Sequence, residues 1–322
     1  MDKDGFLLKL QAYKLDDTQI EAALAIAQRF DDYINQPQRE ASAETAWDFS
    51  RMLIQEGNNS EENYISLIRY CWFIRNTEMF VALLELVDGG EVGENLYQQI
   101  GERFGSQIQA EAFDGIGVAP YGIPTPEKPA FMHPVIEKLI QLVGQEAVIE
   151  MLATSLRDLP DEAYLPGREK FNKAGNMDAY LIQRKEAFIA QLEACQRDGR
   201  LFFSQEITHE VIELVRNDPE MGGGRREGNI IYEIKIPYMA KRYLEESDPT
   251  LRGYYYCHCP WAREAIKSKN VKLIETFCNC SGGYHKKPFE AIFGQTLKVD
   301  VLESILKGDA RCRFAIHLPD KA

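Results

Sequence analysis

Long apolar runs are missing from this 322-residue chain: nowhere do eighteen apolar residues stand together, so no segment reads as a membrane span. A basic excess is missing too. With 37 Lys and Arg against 50 Asp and Glu, the net charge is -13. That balance disfavours long-range attraction to nucleic-acid phosphates or anionic lipid, so neither nucleic acid nor a membrane is expected as a partner. The opening Met1-Asp2-Lys3-Asp4-Gly5 lacks a basic stretch leading into an apolar one, and a cytoplasmic location is the expectation. No fixed period of about 30–45 residues marks a repeat array. Cysteine is present in an odd number, seven, and two of the close pairs are spaced by a single residue. A simple disulfide framework does not explain that pattern; reduced thiols or a metal fit better.

At 45% hydrophobic and 27% charged residues the chain has the profile of an ordinary globular protein, long enough for about two domains. The acidity sits in its first part. Residues 1–200 hold 19 basic against 33 acidic residues, while 201–322 hold 18 against 17. The first part reads as amphipathic helices. Thr18 and Glu21 suggest a capping box ahead of a stripe of Ile20, Ala23, Leu24, Ala27 and Phe30. Ser60 opens a second helix with Tyr64, Leu67, Ile68, Cys71 and Ile74 on one face, and Phe80, Leu83, Leu84 and Val87 form a third stripe. The prolines at 120, 124, 126, 129 and 134 make residues 118–134 a connector, and a further break is expected over 158–167. A long helix then runs from about Met177 to Cys195. Cys71 and Cys195 read as core, and His133 as a surface or capping group.

From about Leu201 the pattern turns to mixed α+β. Strands are expected over 229–236, 251–257, 297–306 and 313–318, with short helices over 207–215, 237–247, 260–267 and 289–293. The fold class is therefore a mostly α N-terminal region followed by an α+β C-terminal domain with a small, partly antiparallel sheet. The domains are set at 1–198 and 199–322, with 118–134 as a sub-boundary. Gly222-Gly223-Gly224 lacks the ending of a phosphate-binding loop, and Arg225 and Arg226 after it read as solvated surface with anion binding as the rarer alternative. The acidic helical region could serve as a homodimer or protein-partner surface.

Chemical information concentrates near the C-terminus, where five of the seven cysteines lie between 257 and 312. Cys257-His258-Cys259 and Cys278-Asn279-Cys280 are separated by eighteen residues. On an extended backbone residues i and i+2 point the same way, so each doublet could offer two sulfurs to one point. Cys257, Cys259, Cys278 and Cys280 are then the candidate ligands of a closed, structural zinc site. Reduced or redox-active thiols, a cysteine acting on substrate, and plain core cysteines stay open beside it. With three cysteines bound, His285 or Cys312 could complete an open, Lewis-acid site.

The stretch Tyr256-Cys257-His258-Cys259-Pro260-Trp261-Ala262-Arg263, the Cys278-Asn279-Cys280-Ser281 element and the ending from Glu303 to Phe314 resemble the closing motifs of L-2-amino-thiazoline-4-carboxylate hydrolase-like families. Gly308-Asp309, Cys312 and Phe314 also resemble the end of 4-vinyl reductase domains. With Lys235-Ile236-Pro237-Tyr238-Met239, the chain is most similar to an uncharacterised prokaryotic domain family. These resemblances imply a site at Cys257, Cys259, Cys278 and Cys280, and a structural hairpin at Gly308 to Phe314. Doubled cysteines and the large helical region depart from the hydrolase-like pattern. The expected function is binding of a small organic molecule by a cysteine-rich, zinc-binding domain. The alternative is a hydrolase of a C–N bond in a small cyclic amidine or amide, with His258, Arg263 and His285 as candidate catalytic groups. A metal-stapled scaffold or interaction protein is the third reading.

Overall fold

The computed structural model describes residues 1–158, 160–203, 205–268 and 273–320. Contacts divide the chain into two compact units: Met1–Glu94 with Gly117–Lys128, and Asn95–Ile116 with Pro129–Ala322.

The first unit is built on α1 (Lys3–Gln11), α2 (Asp17–Ile34), α3 (Ala43–Gln55), α4 (Glu61–Phe73) and α5 (Thr77–Val87). Each begins on a polar cap: Asp2, Asp16, Ser42, Ser60 and Asn76 all accept a backbone N–H of the first turn. The capping box of α2 is Asp16 with Gln19, two residues ahead of the expected Thr18 and Glu21. Phe6, Phe30, Phe49, Tyr64, Leu67, Cys71 and Leu83 form the core, as the stripes predict for Tyr64, Leu67, Cys71 and Leu83. The proline-rich stretch is tied down by side chains. Ser50 Oγ donates to Gly122 O at 2.6 Å, and the buried Lys128 ammonium caps α5 through Glu85 O (2.9 Å) and Asp88 O (3.0 Å).

The second unit holds most of α6 (Val92–Phe104), then α7 (Ser106–Phe113), nearly all of α8 (Lys128–Val143), α9 (Gln145–Leu152), α10 (Leu165–Ala174) and α11 (Met177–Asp198). Helix α8 contains Pro134, inside the expected connector. Losing a helical hydrogen bond to proline costs about 3 kcal/mol. Burying Met132, Val135, Ile136 and Leu139 returns about 1.5–3 kcal/mol each, so the helix persists. Helix α10 lies within and beyond the expected break, with Pro166 in its first turn where its missing N–H is harmless.

Four strands follow: β1 (Arg225–Glu227), β2 (Ile230–Ile234), β3 (Lys298–Glu303) and β4 (Arg313–His317). They form one antiparallel sheet in the order β1-β2-β4-β3. The helices among them are α12 (His209–Asn217), α13 (Ala240–Glu245), α14 (Pro249–Tyr256), α15 (Arg263–Lys267) and α16 (Asn279–Phe293). Residues 251–257 were expected as a strand but stand mainly in α14. Asp248 caps Leu251 N at 2.9 Å and Pro249 occupies the first turn, and these start signals outweigh the strand preference of three consecutive tyrosines. Gly308 adopts φ +97° and Asp309 accepts Ser304 N at 2.8 Å, so the β3–β4 connection is held as a structural turn.

Residues on both sides of 198/199 belong to one compact unit. Helix α11 carries Met177, Tyr180 and Leu181 into the core beneath the sheet, and Leu192 and Cys195 into the cluster around Val211, Val215 and Ile234. One sheet face carries Ile231 and Glu233 on β2, Ile316 and Phe314 on β4, and Val299 and Val301 on β3 in register. Helix α16 lies against it. The glycine loop is used for packing: a Cβ on Gly223 would sit 2.6 Å from Leu181 O. Arg225 pairs with Glu220 and Glu227, and Arg226 donates to Gly228 O, so both arginines serve the local structure.

Gly283 of α16 is a sharp test of this packing. A Cβ there would lie 2.5 Å from Ser155 N and 2.6 Å from Ala153 O, backbone atoms that cannot swing away. Gly283→Ala should therefore destabilise the second unit by about 1–3 kcal/mol despite alanine's better helix propensity. Denaturant unfolding checks this, and an unchanged or raised midpoint would refute the contact.

Candidate functional site

The candidate residues sit where the end of β2, the turn after α14 and the start of α16 meet. Tyr256 Oη donates to Lys235 O at 2.9 Å, while Tyr238 N and Met239 N donate to Tyr256 O (3.2 Å) and Tyr255 O (2.8 Å). These bonds place Cys257, His258 and Cys259 beside the end of β2. His258 Nε2 donates to Ile236 O at 2.6 Å, and since a carbonyl only accepts, the ring is the Nε2–H tautomer. Arg263 is fully buried, its guanidinium 4.3 Å from the Tyr238 ring centre and 5.9 Å from that of Tyr254. Both rings pack against it.

All seven cysteines are free thiols. Those of the C-terminal region share one neighbourhood: Cys278 lies in the electrostatic field of Cys312, Cys257 and Cys259, and Cys280 in that of Cys259. Burial is the main influence on Cys257, Cys278, Cys280 and Cys312. It pushes Cys257 up to about 12 and Cys280 up to about 11, and raises Cys278 and Cys312 as well. Four of these sulfurs also find a donor. Ser304 Oγ donates to Cys278 Sγ at 3.0 Å, Leu156 N to Cys280 Sγ at 3.3 Å, and backbone N–H groups of Cys259 and Ile305 serve Cys257 and Cys312.

The premise behind a tetrahedral zinc cage fails at the second doublet. Cys278 and Asn279 are helical, with φ/ψ of -63°/-14° and -63°/-27°, because a 3₁₀ turn over Glu275–Cys278 runs directly into α16. In that conformation residues two apart diverge around the helix rather than pointing together. Among the described residues no group of three or more His, Cys, Asp or Glu side chains is placed to hold a metal ion. The doublets approach one another, and Cys257, Cys278 and Cys280 each accept a hydrogen bond from a protein donor.

The polar centre lies on β2 and α16, and composition hid most of it. Glu233 points from the apolar sheet face, buried, with Arg184 of α11 ion-paired to it and His285 Nδ1 2.8 Å from its Oε2. Burial opposes its charge, yet Arg184 and His285 together hold its carboxyl below the ordinary range. His285 lies flat on Phe314, ring centres 4.3 Å apart and planes 21° apart, and burial lowers its pKa despite Glu233. One step past the β2–β4 ladder, Lys235 donates to Ser281 Oγ and stands 5.9 Å from the centre of the Phe314 ring. No carboxylate pairs with Lys235 among the described residues. Its charge acts on Cys257, Cys280, Cys312, His258 and His285.

Of the residues expected at the site, Cys257, Cys259, Cys278, Cys280, His258 and His285 are brought together, Cys312 joins them, and Arg263 belongs to the wall. Glu233, Lys235, Arg184, Ser281 and Ser304 escaped sequence reasoning. One signal was available: in Ile231-Tyr232-Glu233-Ile234-Lys235 the two charges share strand parity with the buried Ile231, so they belong to a buried face.

Residues 238–322 match the profile of a family of unknown function (DUF6144). No curated protein and no solved structure matches the chain. No helix among the described residues is long and apolar enough to cross a membrane.

Glu233→Ala should cost about 1–3 kcal/mol, because it removes the partner of the partly buried Arg184 and of His285. A loss below about 1 kcal/mol in denaturant unfolding would contradict this burial. Acid should act through the histidines. Burial, aided by Lys235, lowers His258 from its ordinary 6.5 to about 3, so the unfolded chain takes the proton first as pH falls. Stability is complete above about pH 6.5 and declines below it. A His258→Gln variant should lose less of its melting temperature than the parent between about pH 6.5 and 4.

Proposed function

We propose that the thiol cluster beside Lys235 binds a small organic acid whose anionic group is held by that lysine. The observation that carries this is the lysine's surroundings. The half-buried ammonium faces thiols, imidazoles and the Ser281 hydroxyl, and no carboxylate of the described residues is paired with it. Glu233 does not pair with it, since its two oxygens are taken by Arg184 and His285. A ligand carboxylate would complete the set, with Ser281 as a second donor and Phe314 as an apolar floor.

Haloacetates test the reading, because they carry the anion and report on the sulfurs at once. Anionic iodoacetate should alkylate a cysteine of the cluster faster than neutral iodoacetamide, although iodoacetamide is the faster reagent towards simple thiols. Lys235→Met should lower the iodoacetate-to-iodoacetamide ratio about tenfold, equivalent to about 1.4 kcal/mol. An unchanged ratio in that variant would refute the anion site. Metal analysis of protein purified without added zinc gives the other decisive outcome. One zinc per chain, lost together with the fold in Cys257→Ser or Cys280→Ser, would make the cluster a structural metal centre instead.

A further inference from the structure

Between α11 and α12 the chain makes a tight turn of unusual composition. Phe202 N donates to Gln205 O at 2.9 Å and Gln205 N to Phe202 O at 3.1 Å, so only two residues cross from one arm to the other. The first of them is Phe203, at φ +53°. Such a position ordinarily takes glycine, asparagine or aspartate, and a bulky side chain there strains the backbone. Burial does not repay that strain. Phe203 is 79% exposed, the most exposed large apolar residue among those described, and its ring meets that of Phe202 edge-on, centres 4.7 Å apart. Leu201 is 58% exposed on the same turn.

Both arms are nonetheless fixed. Phe202 is buried in the cluster of Val211 and Ile234, and the buried Gln205 donates from Nε2 to Pro237 O at 3.2 Å and accepts Ala240 N at 2.7 Å. An aromatic side chain is thus held in solvent on an anchored tip, which lowers the ordering cost of binding there. Opposite charges flank it at equal distance along the chain: Arg200 stands three residues before Phe203 and Glu206 three after, their side chains 64% and 67% exposed.

We infer that this tip is a self-association surface whose occupant is the same tip of a second copy of the chain. When two tips meet antiparallel about a two-fold axis, the Phe203 rings pack together, Arg200 stands opposite the partner subunit's Glu206, and Glu206 stands opposite the partner subunit's Arg200. A tip flanked by one sign of charge would repel its copy, whereas these two charges are complementary to themselves in that arrangement. Within the chain Arg200 meets Asp198 at 2.9 Å and Glu206 meets Lys241 at 3.0 Å, exposed pairs that contribute little and leave both free to reach across. A few apolar side chains and two reciprocal ion pairs make an interface smaller than that of a permanent dimer, so the association is transient.

Sedimentation velocity of the full chain between about 10 μM and 1 mM covers weak affinities of this kind. The average mass should rise with concentration, and less steeply in high salt. Phe203→Gly should abolish the rise while leaving the dilute chain at least as stable as the parent, since glycine adopts positive φ freely. A lowered denaturant midpoint for that variant in dilute solution would show that Phe203 serves the chain's own packing and would overturn the inference. Arg200→Glu and Glu206→Arg should each stay monomeric alone and associate when mixed, because the mixture restores both opposed pairs. A mixture that associates no more than either variant alone would sink the two-fold arrangement. A parent chain that stays monomeric over the whole range, or that associates equally with Phe203→Gly in place, is likewise contrary to it. Phosphatidylglycerol vesicles that bind a monomeric parent but not Phe203→Gly would make the tip a lipid anchor instead.

Discussion

A single carboxylate placed on an apolar sheet face organises the C-terminal part of this protein. Glu233 stands in register with Phe314 and Val301, between Ile231 and the strand's end, where a leucine or valine would serve the core equally well. Arg184 of α11 and His285 of α16 both meet its charge, so a slide of either helix by a turn would break one of these pairs. Such a pair adds little to stability compared with an apolar replacement. What it contributes is register: helix, sheet and imidazole occupy one arrangement because the alternatives leave a charge bare.

The thiols make sense against the same background. Their spacing suggests a metal knuckle only while the backbone around them is extended, and the conformation at 278–280 is set by the helix that follows. The start of α16 must be helical so that Gly282 and Gly283 can approach Val299, Val301 and the backbone of 153–155 closely. Packing of the helix thus decides where the sulfurs point. The result is a group of hydrogen-bonded thiols beside the Lys235 ammonium.

Much of the architecture was legible in the residues. Ser60 marked a helix start, Tyr64, Leu67 and Cys71 its buried side, and Gly308-Asp309 the turn between the last strands, because local chemistry alone determines these features. The three tyrosines before Cys257 misled, since Asp248-Pro249 acts one step earlier and governs the backbone. The break at Pro166 misled likewise, because a proline in a helix's first turn begins it rather than ends it. At the site, histidine and cysteine drew attention by rarity, whereas Glu233, Lys235 and Arg184 are common residues whose importance comes from being on a buried face or opposite one. Parity along a short strand was the sole trace of that, and Arg184 left none, because its partner lies 49 positions away.

Residues 117–128 return to the first unit after the chain has already entered the second. During synthesis, the amino-terminal helices emerge early but lack the segment that carries Gly122 and Lys128, so the α5 terminus and the Ser50 hydroxyl wait with exposed polar groups until that stretch leaves the ribosome. A translation pause placed before it would hold a nearly finished helical bundle open, while one placed after it would release a closed one.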